Sequence, residues 1–263
     1  MKVDGITPEA AAGSRRRRIV HRTGKRFLRA IGDFQARHSL VSSDPVLPND
    51  QFPWVSRLES AWREIRAELD VVLEHPQDIP SFHQLSPDQA RISSGDNWKT
   101  FALYVLGDRI EENCAQCPFT ARLLGELPGL QNAWFSILAP RYHIPPHRGP
   151  TRALIRCHLG LRVPQAAERC WIRVDQQRCH WAEGKCLVFD DTYEHEVLND
   201  TDERRVVLFL DFDRPMDAVG RLFNRAVLKL IRSSHYFKDP MRNLALWNKR
   251  HPHRGLDYTN LAD

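Results

Sequence analysis

The spacing of apolar residues predicts a helix soon after Pro53. Apolar side chains recur at every third or fourth position, which is the period of a helix that buries one stripe. The stripe consists of Trp54, Val55, Leu58, Trp62, Ile65, Leu69 and Val72. A shorter helix is predicted over residues 120–127, ended by Pro128 and Gly129. The tryptophans are therefore expected in the core rather than on a binding surface.

From residue 132 the pattern changes to short apolar or alternating runs separated by turn residues. Such runs are typical of strands joined in hairpins. The predicted strands cover residues 133–138, 153–161, 170–174, 178–181, 186–189 and 205–212. Many short strands with Gly, Pro and Asp between them favour a sandwich or jelly roll. The fold is therefore predicted to be mainly β, with helices before and after the strands.

After Pro215 the period is again that of a helix, with one apolar and one basic face. The apolar face consists of Val219, Leu222, Phe223, Ala226, Val227, Leu230 and Ile231, and the basic face of Arg221, Arg225, Lys229 and Arg232. The pattern predicts a helix that docks its apolar face on the domain and leaves its basic face in water. Interfacial membrane helices have the same pattern, so that alternative stays open.

These patterns divide the 263-residue chain into four segments. Residues 1–48 are expected to form a basic, flexible segment that adds little to the core. Residues 49–130 are predicted to be a helical support region, and 131–215 the strand-rich core. The C-terminal amphipathic helix and a tail complete the chain over 216–263. This length suits one domain.

Charge is concentrated near the N-terminus. The net charge is +5, and residues 15–29 contain eight arginines and lysines. Such a run is usually solvated, with contact to an anionic membrane surface as the alternative, and nucleic acid is not expected as a partner. No apolar stretch reaches 18 residues, and no apolar signal-peptide core is present. We therefore expect a cytoplasmic protein, with peripheral membrane association as the open alternative.

The six cysteines do not have the spacing of a small secreted disulfide framework. Cys114 and Cys117 form a CxxC pair, but no second pair follows to complete a zinc site. A structural pair of thiols is therefore expected there.

Two of the 12 histidines lie at predicted strand ends. His147 follows Pro145 and Pro146, and His195 lies between two predicted strands. Two imidazoles brought together in a small barrel can bind a divalent first-row metal and leave positions open for substrates. Arg205 begins the last predicted strand and is suited to pair with a carboxylate inside the barrel. The same residues also have structural explanations, so the spacing alone leaves both interpretations open.

Several motifs in order and spacing resemble the aspartyl/asparaginyl β-hydroxylase family. They are Phe135-Ser136-Ile137-Leu138, His147-Arg148-Gly149-Pro150-Thr151, Arg156-Cys157-His158-Leu159-Gly160-Leu161, Glu183-Gly184-Lys185, Phe189-Asp190-Asp191, Glu194-His195-Glu196-Val197 and Arg205. The resemblance implies a double-stranded β-helix, a cupin-like jelly roll, as the catalytic core. It also implies an Fe(II)- and 2-oxoglutarate-dependent dioxygenase that uses O2, with ascorbate as the reductant in vitro.

The resemblance further implies a role for each matching residue. His147 and His195 would bind the iron, and Arg205 would hold the distal carboxylate of 2-oxoglutarate. Ser136 would add a hydrogen bond to that carboxylate. Arg156 and His158 would line the cofactor and substrate pocket, where Arg156 suits an acidic or amide side chain.

One position departs from the usual pattern of iron oxygenases, which place a carboxylate two residues after the first histidine. Here that residue is Gly149. The animal members of the family share this glycine, whereas the lipid-modifying relatives tend to carry aspartate. Asp190 and Asp191 are nearby and are expected to form a turn or to contact a ligand histidine.

Three functions remain open at this point. The first is β-hydroxylation of an aspartyl or asparaginyl residue in a peptide, a protein or a related amino-acid substrate, which Gly149 favours. The second is hydroxylation of an acyl chain of a membrane lipid, motivated by the basic N-terminal run and the helix after Pro215. The third is a non-catalytic jelly roll that binds a carboxylate, motivated by the missing triad residue.

Overall fold

Two antiparallel sheets that face each other form the centre of the described chain. The structure is a computed structural model that describes residues 30–233 and 235–251. The strands are β1 (Val46–Leu47), β2 (Trp98–Val105), β3 (Asp108–Arg109), β4 (Leu130–Leu138), β5 (Tyr142–His147), β6 (Leu154–Arg162), β7 (Cys170–Val174), β8 (Gln177–Cys179), β9 (Cys186–Phe189), β10 (His195–Asn199) and β11 (Arg205–Asp213). The larger sheet has the order β1-β9-β6-β11-β4-β2-β3, and the smaller sheet has the order β5-β10-β7-β8.

The connections between these strands define a jelly roll. From β4 to β11 the chain passes back and forth between the two sheets, interrupted only by the β7–β8 hairpin within the smaller sheet. This is the strand arrangement of a double-stranded β-helix. The predicted fold class is confirmed.

Helices cover the outer face of the larger sheet and the C-terminal side. They are α1 (residues 30–37), α2 (Trp54–Ser60), α3 (Trp62–Val72), α4 (Phe82–Leu85), α5 (Glu111–Cys114), α6 (Pro118–Gly125), α7 (Ala218–Ser233) and α8 (His235–Arg250). Short 3₁₀ helices occupy Asn49–Gln51, Pro76–Asp78, Pro87–Gln89 and Ala167–Arg169. The single helix predicted after Pro53 is divided at Ala61. Among the helices in the described ranges, none combines the length and apolarity needed to span a bilayer.

Alternation along the strands decides which side chains face the space between the sheets. On β11, Val206, Leu208 and Leu210 join the core under the outer helices, whereas Val207 and Phe209 join the core between the sheets. The same period on β4, β6 and β11 turns the candidate site residues of these strands inward. They are Ser136, Arg156, His158 and Arg205.

Residues 49–130 are not purely helical, in contrast to the prediction. They include β2, which pairs antiparallel with β4 along most of its length, for example Phe101 with Phe135. Side chains on both faces of β2 are buried, so residues 101–105 form a continuous apolar run instead of an alternating one. β5 and β10 also lie outside the predicted strands.

Residues 30–48 pack on the domain instead of forming a flexible segment. Leu47 is buried in the main core, Gln35 donates a hydrogen bond to Asn224, and Ser39 forms a β-bridge with Met216. These contacts supply the polar and apolar partners that hold a segment in place. The basic run of residues 15–29 lies outside the described residues.

The C-terminal segment differs from its prediction in two ways. Part of the predicted apolar face of α7 is turned to solvent, with Val219 58%, Leu222 71% and Leu230 70% exposed, whereas Phe223, Val227 and Ile231 of the same face are half-buried. The docked side contains Gly220, which His38 approaches closely, and Asn224, which donates a hydrogen bond to the Ala153 carbonyl. The predicted tail begins with a second helix, α8.

Candidate active site

Two neighbouring strands of the smaller sheet bring His147 and His195 together. His147 is the last residue of β5 and His195 the first of β10, and the two are register partners with ring centroids 4.2 Å apart. His147 Nδ1 donates a hydrogen bond to the Pro145 carbonyl, and His195 Nδ1 donates one to the Tyr193 carbonyl, each at 2.9 Å. These bonds fix the ring orientation and leave each Nε2 lone pair available to a metal.

Burial keeps both imidazoles neutral. Desolvation lowers the pKa of His147 to about 4, and the positive charge of Arg156 acts in the same direction. Desolvation and the neighbouring His147 lower the pKa of His195 to about 3. Neutral imidazole is the form that binds metals, so both rings are ready to do so at neutral pH without losing a proton.

Gly149 leaves no room for a third ligand side chain. A Cβ at this position would lie 2.0 Å from Asp191 Oδ2, so the Asp191 carboxylate occupies the space that a side chain would need. The Gly149 amide also donates a hydrogen bond to the Asp191 carbonyl at 2.7 Å. Within the described residues, no group of three or more His, Cys, Asp or Glu side chains forms a complete metal site. The donors that fit Fe(II) are therefore the two imidazoles, with the other positions open to ligands.

The Arg156 guanidinium is held between two buried carboxylates. Arg156 Nη2 lies 2.9 Å from Asp191 Oδ2, and Arg156 Nε lies 2.9 Å from Asp211 Oδ1. Asp211 also accepts a hydrogen bond from Asn132 Nδ2. Burial raises the pKa of Asp191, and the Arg156 charge opposes this rise. Arg156 lines the pocket, but its charge is already compensated, which the sequence interpretation did not anticipate.

The sequence did not reveal the contacts with Arg156 and with each other that three polar residues make beside the site. They are Asp191, Asp211 and Asn132. A signal was available for two of them, because Asn132 and Asp211 are polar residues at inward positions of otherwise apolar strands. Asp190, by contrast, forms the expected turn by accepting hydrogen bonds from Thr192, and it also pairs with buried Arg214.

Arg205 is a buried cation without an acidic partner. Its side chain is 1% exposed, and no acidic side chain of the described residues forms an ion pair with it. Its Nη1 lies 3.5 Å from the Ser136 carbonyl, its Cζ lies 4.6 Å from the centre of the Trp181 ring, and its Nε has no partner. Burial lowers the pKa of Arg205 to about 10, so the charge persists at neutral pH. An unpaired buried charge is costly, which makes this a site for an anion.

Further polar atoms beside Arg205 lack partners. Neither ring nitrogen of buried His158 forms a hydrogen bond, and the Trp181 Nε1 atom is also unpaired. Ser136 Oγ accepts a hydrogen bond from Trp98 Nε1 at 3.0 Å, which leaves its own hydrogen to donate. Buried polar groups in folded proteins are normally satisfied. A dicarboxylate such as 2-oxoglutarate fits this set, because it would supply acceptors to the guanidinium, the hydroxyl and the ring N–H groups.

A mostly apolar cavity, called the channel below, lies beside His147. It has a volume of about 200 Å³ and is polar at the end formed by His147, Arg156, Asp191 and Asp211. The remaining wall is mostly apolar and includes Phe82, Leu85, Ile92, Trp134, Leu154, Leu228, Ile231 and Leu244. The last three belong to α7 and α8, so the C-terminal helices close one side of the channel. Such a wall suits a hydrocarbon chain.

The CxxC pair does not contribute to this site. None of the six cysteines, all of which lie in the described part of the chain, forms a disulfide. Burial raises the pKa of Cys114 to about 11 and raises that of Cys117 further. Both are therefore protonated thiols packed in the core.

Comparisons of the sequence and of the fold relate this chain to known proteins. The family model described as aspartyl/asparaginyl beta-hydroxylase matches residues 59–215. An ornithine lipid ester-linked acyl 2-hydroxylase from Rhizobium tropici is 42% identical over 81% of this chain and 76% of that protein. The human aspartyl/asparaginyl beta-hydroxylase is 34% identical over 61% of this chain, which spans only 21% of the human protein. Among solved structures, the Schizosaccharomyces pombe Cnp3 cupin domain has a TM-score of 0.30 at 9% identity and covers 44% of this chain and 64% of that one.

The family model and the relatives converge on the segment that carries the site. The matched residues 59–215 include both histidines and the Arg205 pocket. They amount to more than half of the chain, and the first relative covers most of both sequences. The family prediction is confirmed, and the chain belongs to the aspartyl/asparaginyl β-hydroxylase family of hydroxylases.

Proposed function

We propose that this protein hydroxylates an acyl chain of a membrane lipid, using Fe(II), 2-oxoglutarate and O2. The observation that carries the proposal is the apolar channel, whose lining includes His147 together with Leu228, Ile231 and Leu244. A hydrocarbon chain gains free energy by leaving water for such a channel, whereas an aspartyl side chain does not. The Rhizobium tropici relative, which is named as an acyl hydroxylase of a lipid, supports the same substrate class.

In this proposal His147 and His195 hold Fe(II) through their Nε2 atoms. The hydrogen bonds from their Nδ1 atoms orient the rings before the metal arrives. Bound Fe(II), together with 2-oxoglutarate and O2, supplies the oxidising power to hydroxylate an unactivated C–H bond. Arg205 neutralises the distal carboxylate of 2-oxoglutarate, and the Ser136 hydroxyl donates a hydrogen bond to it.

Arg156 acts here as a positioning residue. Its guanidinium holds the Asp191 carboxylate against Gly149 and is anchored in turn by Asp211. It therefore shapes the wall beside His147 rather than binding a cofactor carboxylate. This role revises the expectation from the family resemblance.

Hydroxylation of an aspartyl or asparaginyl residue is the second candidate. Gly149 and the identity to the human relative favour it. Two observations weigh against it. The cation expected to recognise an acidic substrate side chain, Arg156, already pairs with Asp191 and Asp211. The channel wall is also mostly apolar.

Succinate formation tests the proposal directly. Purified protein would receive Fe(II), ascorbate, 2-oxoglutarate and O2, together with either a detergent-dispersed amino lipid or a library of peptides containing Asp and Asn. We expect lipid-stimulated succinate release and the gain of one oxygen atom in the acyl fragment by mass spectrometry. His195→Ala should abolish turnover, whereas His180→Ala, at an exposed histidine, should not.

The remaining outcomes separate the alternatives. Stimulation by peptides and not by lipid would overturn the acyl-chain proposal in favour of the second candidate. Absence of any turnover, combined with absence of a 2-oxoglutarate-dependent Fe(II) absorption band under anaerobic conditions, would favour a non-catalytic jelly roll.

A further inference from the structure

The outward side of α7 carries an apolar stripe that nothing in the described chain covers. Val219, Leu222, Ala226 and Leu230 recur at spacings of three and four and are all exposed. The opposite side, with Gly220, Asn224 and Leu228, is buried against the domain. Single exposed apolar residues are normal, but a contiguous stripe on one helix indicates an interaction surface.

A basic row runs beside this stripe. Arg221, Arg225 and Lys229 are exposed on α7, and the helix sequence from 218 to 233 contains no acidic residue. An apolar stripe next to a basic row is the composition of helices that lie in the interface of anionic membranes. The charge favours an anionic lipid surface over a neutral one.

The two cavities of the site both reach α7. The channel is lined by Leu228 and Ile231. A second cavity of about 630 Å³ lies between α1, the loop after His147 and α7, where Ile31, Leu230 and Ile231 form part of its wall. Ile231 and the loop from Arg148 to Thr151 belong to both walls. The exposed stripe therefore borders the region where a lipid would enter.

The basic N-terminal segment joins the domain at the same place. α1 packs along α7, with the Phe34 and Phe223 ring centroids 4.4 Å apart. Residue 30, at the start of the described chain, is covalently joined to residues 15–29 and their eight basic side chains.

We propose that the outward side of α7 is the surface on which this protein binds an anionic lipid bilayer. The apolar stripe enters the acyl region, and the basic row contacts the anionic headgroups. The inference deepens the proposed function and rests on it in one respect: the bilayer would present the lipid substrate at the entrance of the channel.

Vesicle co-sedimentation tests the surface. We expect the full-length protein to bind vesicles of phosphatidylcholine with phosphatidylglycerol more tightly than vesicles of phosphatidylcholine alone, and added salt to weaken the binding. Val219→Gln/Leu222→Gln should reduce the affinity roughly tenfold, because neither side chain lines a cavity and both would lose apolar burial in the membrane. Arg225→Gln/Lys229→Gln should reduce the affinity for anionic vesicles by a similar factor.

The matched control is Arg63→Gln/Arg122→Gln, which removes two exposed charges from α3 and α6 on the other side of the larger sheet. Its affinity should equal that of the wild type. The proposal is overturned if wild type stays in the supernatant at low salt, or if Val219→Gln/Leu222→Gln binds as wild type does. It is also overturned if this variant instead converts a wild-type dimer into a monomer, which would make the stripe a contact between copies.

Turnover of detergent-dispersed lipid, measured beside turnover of lipid in vesicles, distinguishes failure of the docking surface from failure of the proposed function. Val219→Gln/Leu222→Gln should retain wild-type turnover with dispersed lipid and lose turnover with vesicles. A protein that binds vesicles but hydroxylates no lipid would overturn the proposed function and leave the docking surface standing.

Discussion

Two arginines of this site differ in how their charges are compensated. Arg156 is paired with Asp191 and Asp211, whereas Arg205 has no acidic partner in the described chain. Removing one partner from a satisfied pair leaves a buried charge behind, but removing a cation that has no partner relieves a cost. Replacing Arg156 should therefore lower the free energy of unfolding, whereas replacing Arg205 should leave it equal or raise it.

Arg205→Met tests the anion pocket. Without 2-oxoglutarate, we expect the free energy of unfolding to stay equal or to rise by about 1–2 kcal/mol, because a buried unpaired charge is replaced by an apolar side chain of similar length. Anaerobic Fe(II) with 2-oxoglutarate should stabilise the wild type by about 2.7 kcal/mol at a hundredfold excess over Kd, and the variant by much less. Denaturant unfolding with and without both ligands measures this. A large destabilisation of the ligand-free variant would argue for a structural role instead.

Gly149→Ala tests the close approach of Asp191. The added Cβ would overlap the Asp191 carboxylate, so we expect a loss of about 1–3 kcal/mol in the free energy of unfolding. Asp191→Ala in the same chain should recover part of this loss, giving a coupling energy of at least about 1 kcal/mol in a double-mutant cycle. Gly32→Ala is the control, since its Cβ would meet only Arg152 Cδ at 3.8 Å. Additive losses would contradict the proposed contact.

The depressed pKa values of His147 and His195 predict acid sensitivity of the metal-free protein. Both pKa values lie below the unfolded value of about 6.5, so the unfolded chain binds more protons once the pH falls below that value. The contribution of the two histidines to stability should therefore be constant above pH 6.5 and decline towards pH 4, by about 1.4 kcal/mol per pH unit for each histidine, while the raised pKa of Asp191 acts in the opposite direction. His147→Gln/His195→Gln should flatten this decline, and His180→Gln should leave it unchanged. Chemical denaturation across this pH range provides the measurement.

At the scale of elements, the site depends on strands from both sheets. β5 and β10 pair antiparallel and bring the two histidines together, while β4, β6 and β11 contribute the pocket around Arg205. β2 extends the larger sheet beyond β4, and its inward residues Trp98, Thr100 and Ala102 form part of the channel wall. The channel wall therefore includes a strand outside the jelly-roll core.

Ala102→Leu tests the use of this wall. Ala102 is buried and lines the channel, so a larger side chain would fill channel space and lower the free energy of unfolding by at most about 1–3 kcal/mol. We expect turnover of a long-chain lipid to fall at least roughly tenfold, while a short-chain analogue keeps most of its rate. Parallel assays of succinate release with both substrates measure the difference. An equal loss for both lengths would remove the channel from the substrate path.

At the scale of the whole molecule, the jelly roll and its inward residues could be predicted because both depend on local periodicity. The alternating runs that became β4, β6 and β11 turn Ser136, Arg156, His158 and Arg205 to the same side, and the family motifs select these residues. What each residue pairs with could not be read from the sequence. The contact of Asp191 with Gly149 and Arg156 joins residues far apart in the chain.

The missed elements have specific physical causes. β5 contains Pro145 and Pro146, which normally argue against a strand and are accepted here on an edge of the smaller sheet. The prediction for α7 was wrong for Val219, Leu222 and Leu230, because the whole hydrophobic pattern was assumed to face the domain. Gly220 and Asn224 dock it instead through a close approach and hydrogen bonds, and these leave no hydrophobic signal.

The two sides of α7 have a kinetic consequence. One side lines the channel and the other is the proposed membrane contact, so a substrate lipid would pass from the leaflet to the site without entering bulk water. The rate would then follow the mole fraction of lipid substrate in the membrane, as in surface-dilution kinetics. Adding inert phospholipid at a constant amount of substrate would slow the enzyme, although the bulk concentration of substrate had not changed.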